Sequence, residues 1–450
     1  MINLWWEVPG HLESRKGELY IGGISARELY EEFGERTEVP VYVYNLGRVR
    51  ENFKTFWGTL TANIDPPVSV HYAVKANGNE AILRALHEEG AKIDAVSPNE
   101  IDFSLQAGFS PDDILHTGVG SSEQDIRRVL ESGAWLNADS VNQLETLKKL
   151  MAGRYDCRKS VSIRVDPGIQ GEGECWKTVT AGRYSSHDGH EIPIKFGVPE
   201  DQVLDAYSKA LEYGLDPKGI HFHIGSNWKS EQEVDEFLKA LDKVLGKAGE
   251  IADDLGIDLE FIDVGGGPGI RYKKSDPEFP LQKYSCGIME RVRNSVLDFS
   301  EVKLEPGRYI VGDAGILLVK VTDVKKDRYG DCIVLVNTGF NHLIRPVLYG
   351  AHHEIIPTLQ ADAEPNLMTT IGGNLCETGD ILTPEPRQLP PIEIGDVLAL
   401  HNAGAYGFSM ASKYCNRNFP VEVAIEGGKQ KELAISELSR HRFPLGDSPL

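Results

Sequence analysis

At 450 residues the chain is long enough to fold as two domains with sizeable cores, and 41% hydrophobic with 26% charged residues is an ordinary globular composition. Its 68 acidic against 47 basic side chains leave a formal charge of −21, and without a Lys/Arg cluster this argues against nucleic acid or anionic membrane as a partner. The six cysteines, Cys157, Cys175, Cys286, Cys332, Cys376 and Cys415, form no C-x-x-C pair and have no histidine-rich neighbourhood. We therefore expect reduced thiols in the cytoplasm, with neither a disulfide framework nor a metal site.

Residues Met1 to Lys16 contain Trp5 and Trp6 but no long apolar core, which fits neither a signal peptide nor a membrane span. A mixed, helix-like stretch, Gly17 to Glu35, precedes a strand at Val39–Tyr44 and a helix around Val49–Leu60. From Val68 short apolar runs recur at Val68–Val74, Lys92–Val96, Ile114–Thr117, Ala134–Ala138, Val161–Val165, Gly219–Ile224, Leu259–Val264 and Val302–Leu304. Between them lie segments of helical periodicity such as Glu80–Glu89, Glu123–Ser132, Val141–Met151, Val203–Tyr213 and Val234–Leu255. Eight strands alternating with helices over about 250 residues predict a (β/α)8 barrel. A doubly wound open sheet is the alternative; the barrel is preferred because the chemically unusual residues follow several different strands.

One connection, Asp166 to Lys195, is glycine-rich and aperiodic, and reads either as a surface insertion or as a mobile active-site loop. After Gly312 the pattern changes to strands without long helices: Ile316–Val324, Cys332–Val336, Leu367–Ile371, Val397–His401 and Val421–Ile425, with Gly427-Gly428 marking a hairpin. The expected organisation is a barrel over 45–311 and a mostly β domain from 1–44 and 312–450.

The candidate chemistry sits at predicted strand ends. Lys75 closes the run Val68–Val74 just before Gly78 and Asn79, among apolar neighbours, where a lowered pKa would suit an amine for Schiff-base chemistry. Gly265-Gly266-Gly267-Pro268-Gly269 follows another strand and can bring bare amides close to an anion, although it lacks the context of a nucleotide-binding glycine loop. His221 and His223 share a face before Ser226, and either one suits stacking on an aromatic ring. Glu305, opening Glu305-Pro306-Gly307-Arg308, is an odd choice for packing. An amine for an aldehyde, amides and a hydroxyl for a phosphate, an imidazole and a carboxylate together fit pyridoxal 5'-phosphate.

With these motifs the chain resembles the diaminopimelate decarboxylases, in the alanine-racemase-like group (fold type III) of pyridoxal-phosphate enzymes. The resemblance covers nearly the whole chain. It also rests on Ile344-Arg345-Pro346-Val347-Leu348-Tyr349, Cys376-Glu377-Thr378-Gly379-Asp380 and Gly404-Ala405-Tyr406-Gly407. It implies that Lys75 carries the cofactor, His223 stacks on its ring and Glu305 pairs with the ring nitrogen. Ser226, Gly266, Gly267, Gly307, Arg308 and Tyr406 would complete the cofactor site. Arg308, Arg345, Tyr349 and Tyr406 would bind substrate, Glu377 its distal ammonium, and Cys376 would return a proton after CO2 leaves. A homodimer with shared sites follows, because in this family the residues matching Cys376 and Glu377 come from the other subunit. The long 166–195 segment, Asn337-Thr338-Gly339 and Ser121-Ser122 depart from the family pattern. The implied reaction is decarboxylation of meso-2,6-diaminopimelate to L-lysine. A lysine or ornithine decarboxylase would not need both Arg308 and Arg345, a racemase would not place Glu305 at the ring nitrogen, and a non-catalytic regulator would not keep the whole set.

Overall fold

The computed structural model describes residues 4–152, 158–169, 180–185 and 191–430. Cys157, Cys175 and much of the long 166–195 connection lie outside them.

The eight runs form eight parallel strands: β1 (Val68–Ala73), β2 (Lys92–Ala95), β3 (Ile114–His116), β4 (Trp135–Ala138), β5 (Ser160–Asp166), β6 (Asp216–His221), β7 (Phe261–Asp263) and β8 (Glu301–Leu304). Each pairs with the next, and β8 returns to β1 through Val302 opposite Val68. The sheet is therefore a closed barrel, and the open-sheet alternative falls.

Helices cover the outside because their apolar faces have no other place to go. The helix Glu231–Leu255 starts at Ser230, whose hydroxyl accepts from the Glu233 amide while the Glu233 carboxylate reaches back to Ser230. It stops at Gly256, whose φ of 63° suits glycine. Its stripe of Val234, Phe237, Leu238, Leu241, Val244, Leu245, Ala248 and Ile251 is buried. Ala252 and Leu255, which share the periodicity, are only half-buried as the helix runs out. Phe237 packs on Phe222, Trp228 and Tyr284. Its truncation to Ala would cost about 3–5 kcal/mol.

A second sheet lies outside the barrel, with the order Arg387–Leu389, Leu367–Gly372, Cys332–Val336, Gly315–Lys326, Val41–Asn45, Val421–Glu426 and Lys429–Gln430. Val397–Leu400 adds to Gly315–Lys326 and carries Ile355–Pro357. Val41–Asn45, early in the chain, is flanked by two strands from its second half, which ties the start of the chain to this sheet. The Gly427-Gly428 hairpin is present, with Glu426 opposite Lys429.

Part of the 166–195 connection is described. Arg183–Ser185 pairs with Glu191–Pro193, and Thr180 donates from its hydroxyl to the His223 carbonyl (2.9 Å) and from its amide to Ile224 (3.2 Å). The connection thus returns at Thr180 against the end of β6, beside the residues of the candidate site.

Candidate active site

Each of the eight barrel strands carries a buried polar side chain: His71, Asp94, His116, Asn137, Arg164, His221, Asp263 and Lys303 in chain order. Burying so many polar groups is tolerable only where they pair. Several do, across neighbouring elements, at the C-terminal end of the barrel.

Lys75 sits in the single turn Val74–Ala76 directly after β1, and its Nζ meets Asp94 Oδ2 of β2 at 2.5 Å. Asp94 is fully buried whereas the Lys75 side chain is 38% exposed. This corrects the expectation of a lowered pKa. Burial does pull the ammonium down, but the charges of Asp94 and Glu305 outweigh it and Lys75 is raised above the usual lysine value. Asp94 itself is raised by burial and by Glu305, with Lys75 pulling it back.

Glu305 follows β8 and is 5% exposed. Its Oε2 accepts from His221 Nε2 at 3.1 Å and its Oε1 from the Thr117 hydroxyl at 3.1 Å. Burial would raise this carboxyl. His221, Lys75 and His223 outweigh that effect and hold it well below the usual carboxylate range, so it is ionised at any working pH. Beneath it, Asp263 of β7 is raised by burial and by Glu305. The two histidines that share a face in the sequence have different partners here: His221 goes to Glu305, and His223 Nδ1 accepts from the Gly266 amide at 3.1 Å. Burial, then Arg164 and Lys75, push the His223 pKa well down and leave a neutral imidazole.

The glycine turn lies against these residues. Gly265 and Gly267 have φ of 68° and 123°. A methyl group at Gly266 would overlap the Glu305 carbonyl oxygen, and one at Gly267 would come within 2.5 Å of the Trp228 ring. A methyl group at Gly307 would stand 2.9 Å from Ala76 Cβ and 3.4 Å from the Tyr406 hydroxyl. Tyr406 is in the left-handed region (φ 55°), and its amide donates to Ala76 at 2.8 Å. Asn77 Nδ2 reaches the Gly404 carbonyl at 2.9 Å, which fastens the Lys75 turn to the Tyr406 segment.

Arg308 donates to the Tyr272 hydroxyl (2.7 Å) and, more weakly, to Ser226 Oγ (3.4 Å), and lies 5.0 Å from the Tyr406 ring centroid. Arg345 is fully buried, 4.6 Å from the Tyr272 ring, with Nη1 3.0 Å from His353 Nε2. Tyr349 ends the same short helix, Arg345–Tyr349. The structure thus gathers Lys75, His223, Ser226, Gly266, Gly267, Glu305, Gly307, Arg308, Arg345 and Tyr406 in contacting groups. Cys376 and Glu377 stand elsewhere: both are exposed, and Glu377 accepts from the Tyr414 hydroxyl at 3.2 Å.

The sequence passes over Asp94, Thr117, Tyr272 and His353, and its residues alone leave His221 and His223 undistinguished, a choice made there only by the family resemblance, which names His223. The signal for Asp94 was there: an acid in the middle of a short apolar strand needs a partner.

Residues 46–312 match the family described as pyridoxal-dependent decarboxylase, pyridoxal binding domain. The diaminopimelate decarboxylase of Methanothermobacter thermautotrophicus is 38% identical over 418 residues, covering 92% of each chain. The crystal structure of diaminopimelate decarboxylase from M. jannaschii in complex with L-lysine superimposes with a TM-score of 0.81 at 28% identity, covering 96% of this chain and 98% of that one. The chain belongs to the diaminopimelate decarboxylase family. The Helicobacter pylori member, also solved with L-lysine, gives a TM-score of 0.78 at 31% identity over 91% of this chain and 98% of its own.

The cofactor of this family fits the residues present. The cradle at Gly266 and Gly267 is one a side chain would fill, and a lysine stands at a strand end between two carboxylates. Asp94 Oδ1, His221 Nδ1 and Asp263 Oδ2 are buried without a protein partner, so the pocket's polar capacity is not used up.

Proposed function

We propose that this chain removes CO2 from meso-2,6-diaminopimelate to give L-lysine, using pyridoxal 5'-phosphate. The observation that carries the substrate assignment is the pair Arg308 and Arg345, both buried and both against the Tyr272 ring. Two buried guanidiniums beside a cofactor pocket suit a substrate that keeps a second carboxylate after the first has gone.

When bound, pyridoxal phosphate supplies a sink for the electron pair left at the α-carbon as CO2 departs. Lys75 would hold its aldehyde end, His223 would stack on its ring, and Ser226, Gly266, Gly267, Gly307 and Tyr406, with Arg308, would hold its phosphate. Glu305, kept anionic by His221, Lys75 and His223, would hold a proton at the ring nitrogen. Arg308, Arg345 and Tyr349 bind the distal carboxylate and Glu377 the distal ammonium. Cys376 delivers a proton to the α-carbon.

The exposure of Cys376 and Glu377 in a single chain supports a homodimer in which each chain completes its partner's site. Residues 45–311 serve as the cofactor-binding barrel, and 1–44 with 312–450 as the β domain that supplies Arg345, Cys376 and Glu377. The acidic composition and the scattered cysteines of the sequence suit the cytoplasm. Among the described residues no helix is long and apolar enough to cross a membrane.

The test is CO2 release from purified, cofactor-loaded protein offered meso-diaminopimelate, L-lysine and L-ornithine separately. Diaminopimelate alone should react well, because lysine and ornithine lack the second carboxylate that two guanidiniums at the site would recognise. Efficient release from lysine would overturn the substrate assignment.

A further inference from the structure

Arg308 follows β8 and Arg345 opens a short helix between strands of the second sheet, so the two buried guanidiniums are brought together from separate parts of the fold. Like charges do not gather by themselves. What both touch is Tyr272, a residue of the connection after β7 that is itself 2% exposed. Its hydroxyl accepts from Arg308 Nη1 at 2.7 Å, while the Arg345 guanidinium lies over its ring, 4.6 Å from the centroid. The phenol thus holds one cation at its oxygen and the other at its π face, where the ring quadrupole attracts positive charge.

His353 holds Arg345 as well. Its ring is fully buried and meets Tyr272 edge-on, with centroids 5.7 Å apart and planes at 79°. Nδ1 lies 2.9 Å from the His401 carbonyl, which can only accept, and Nε2 lies 3.0 Å from Arg345 Nη1, which can only donate. One state of the imidazole satisfies both: neutral, with its proton on Nδ1. A second proton on Nε2 would face the guanidinium, and burial together with the Arg345 charge does push the His353 pKa well down. Tyr272 and His353 are tied to one turn. Asn402 Nδ2 donates to the Arg271 carbonyl at 2.7 Å, next to Tyr272, and the neighbouring His401 supplies the acceptor for His353. The Tyr272 amide donates to Asp276 Oδ2 at 3.0 Å, and Lys229 Nζ reaches the same oxygen at 2.8 Å.

We propose that Tyr272 and His353 are positioning residues that determine specificity: Tyr272 sets the spacing of the Arg308 and Arg345 guanidiniums and His353 the direction of Arg345, so that the far carboxylate of a dicarboxylic diamino acid meets both at once. A guanidinium pair already in place binds a carboxylate without first being gathered against its own repulsion. The gain is confined to substrates that carry the second carboxylate. Neither residue takes part in breaking a bond, and the inference rests on the reading of Arg308 and Arg345 as anchors of that carboxylate.

The test uses three variants of the cofactor-loaded enzyme. Tyr272→Phe keeps the ring and removes the oxygen that Arg308 holds. His353→Asn keeps a donor for the His401 carbonyl but is too short to offer Arg345 an acceptor, and His353→Gln restores that acceptor. Tyr272→Phe and His353→Asn should each raise KM for meso-diaminopimelate about tenfold or more, with kcat changed by less than about threefold. Their preference for diaminopimelate over L-lysine should fall in step, as should competition by pimelate, the same dicarboxylate chain without its amines. Cofactor content should stay at the wild-type level, and His353→Gln should recover most of the loss. Tyr272→Phe, which leaves the buried ring in place, decides alone where a histidine variant fails to fold. A wild type that releases CO2 as well from L-lysine as from diaminopimelate overturns the reading of the arginines. A wild-type preference that the variants keep undiminished, or a loss of kcat or cofactor with KM and pimelate competition unchanged, overturns this inference and leaves that reading standing.

Discussion

Replacing Glu305 by Gln separates charge from packing. The amide is nearly the same shape, and its surroundings can satisfy it: the carbonyl accepts from His221 Nε2 as the carboxylate does, and the NH2 group donates to the Thr117 oxygen once that hydroxyl rotates. No buried donor or acceptor is orphaned, so the melting temperature should move by only a few degrees. The charge is lost entirely. Two opposite charges about 4 Å apart at an effective dielectric near 20 attract by about 4 kcal/mol, which sets the scale of what the ring nitrogen loses. With the proton no longer held there, the barrier to CO2 loss rises by up to that amount, about a thousandfold in rate. The assay is CO2 release at saturating diaminopimelate, with cofactor content measured on the same sample after denaturation. Unaltered cofactor content with turnover within tenfold of wild type would refute the role given to Glu305, because buried charge would then be doing nothing for the reaction.

Two further outcomes follow from the geometry. Lys75→Ala and Cys376→Ala homodimers should each be nearly inactive, yet dissociating and remixing them should restore about a quarter of the wild-type rate, since half the dimers then hold one intact site of two; confirmed subunit exchange without recovery would place the whole site within one chain. Glu100, which accepts from the Val96 amide at 2.7 Å, is pushed up to about 7 by burial, so the folded chain holds a proton there that the unfolded chain has released. Stability contributed by that proton is present below the unfolded value near 4.5 and is lost as pH rises toward 7. Glu100→Gln should therefore match wild type at pH 5 and exceed it by no more than about 3 kcal/mol at pH 8, read by denaturant melts, and an equal gap at both values would mean that Glu100 titrates normally.

The barrel was legible because two local signals agree. Helices such as Glu231–Leu255 announce their ends through Ser230 and Gly256, and the runs between them are too short for anything but strands. Lys75, Glu305 and the glycine turn were legible because each is a poor packing choice where it stands. Less visible was the inside of the barrel. The runs read as apolar because helices cover their outer faces, while Asp94, Asn137, Ser162, Arg164, His221 and Asp263 are buried within the same runs. Ser162 bonds Asn137 across adjacent strands at 3.1 Å, as Lys75 bonds Asp94. Apolar neighbours in sequence therefore gave Lys75 the wrong pKa direction: its environment is set by acids 19 and 230 residues further on, a relation no local window contains.

Cys376 and Glu377 present the opposite problem. In sequence they read as parts of the site, yet in one chain they are exposed beside Tyr414 and Cys415. A thiol and a carboxylate suited to buried chemistry are exposed here, and among the described residues nothing of their own chain covers them. The proposed second copy of the chain would meet both the structural demand for a cover and the chemical demand for a proton donor near Lys75, and the remixing of Lys75→Ala with Cys376→Ala homodimers tests the two together.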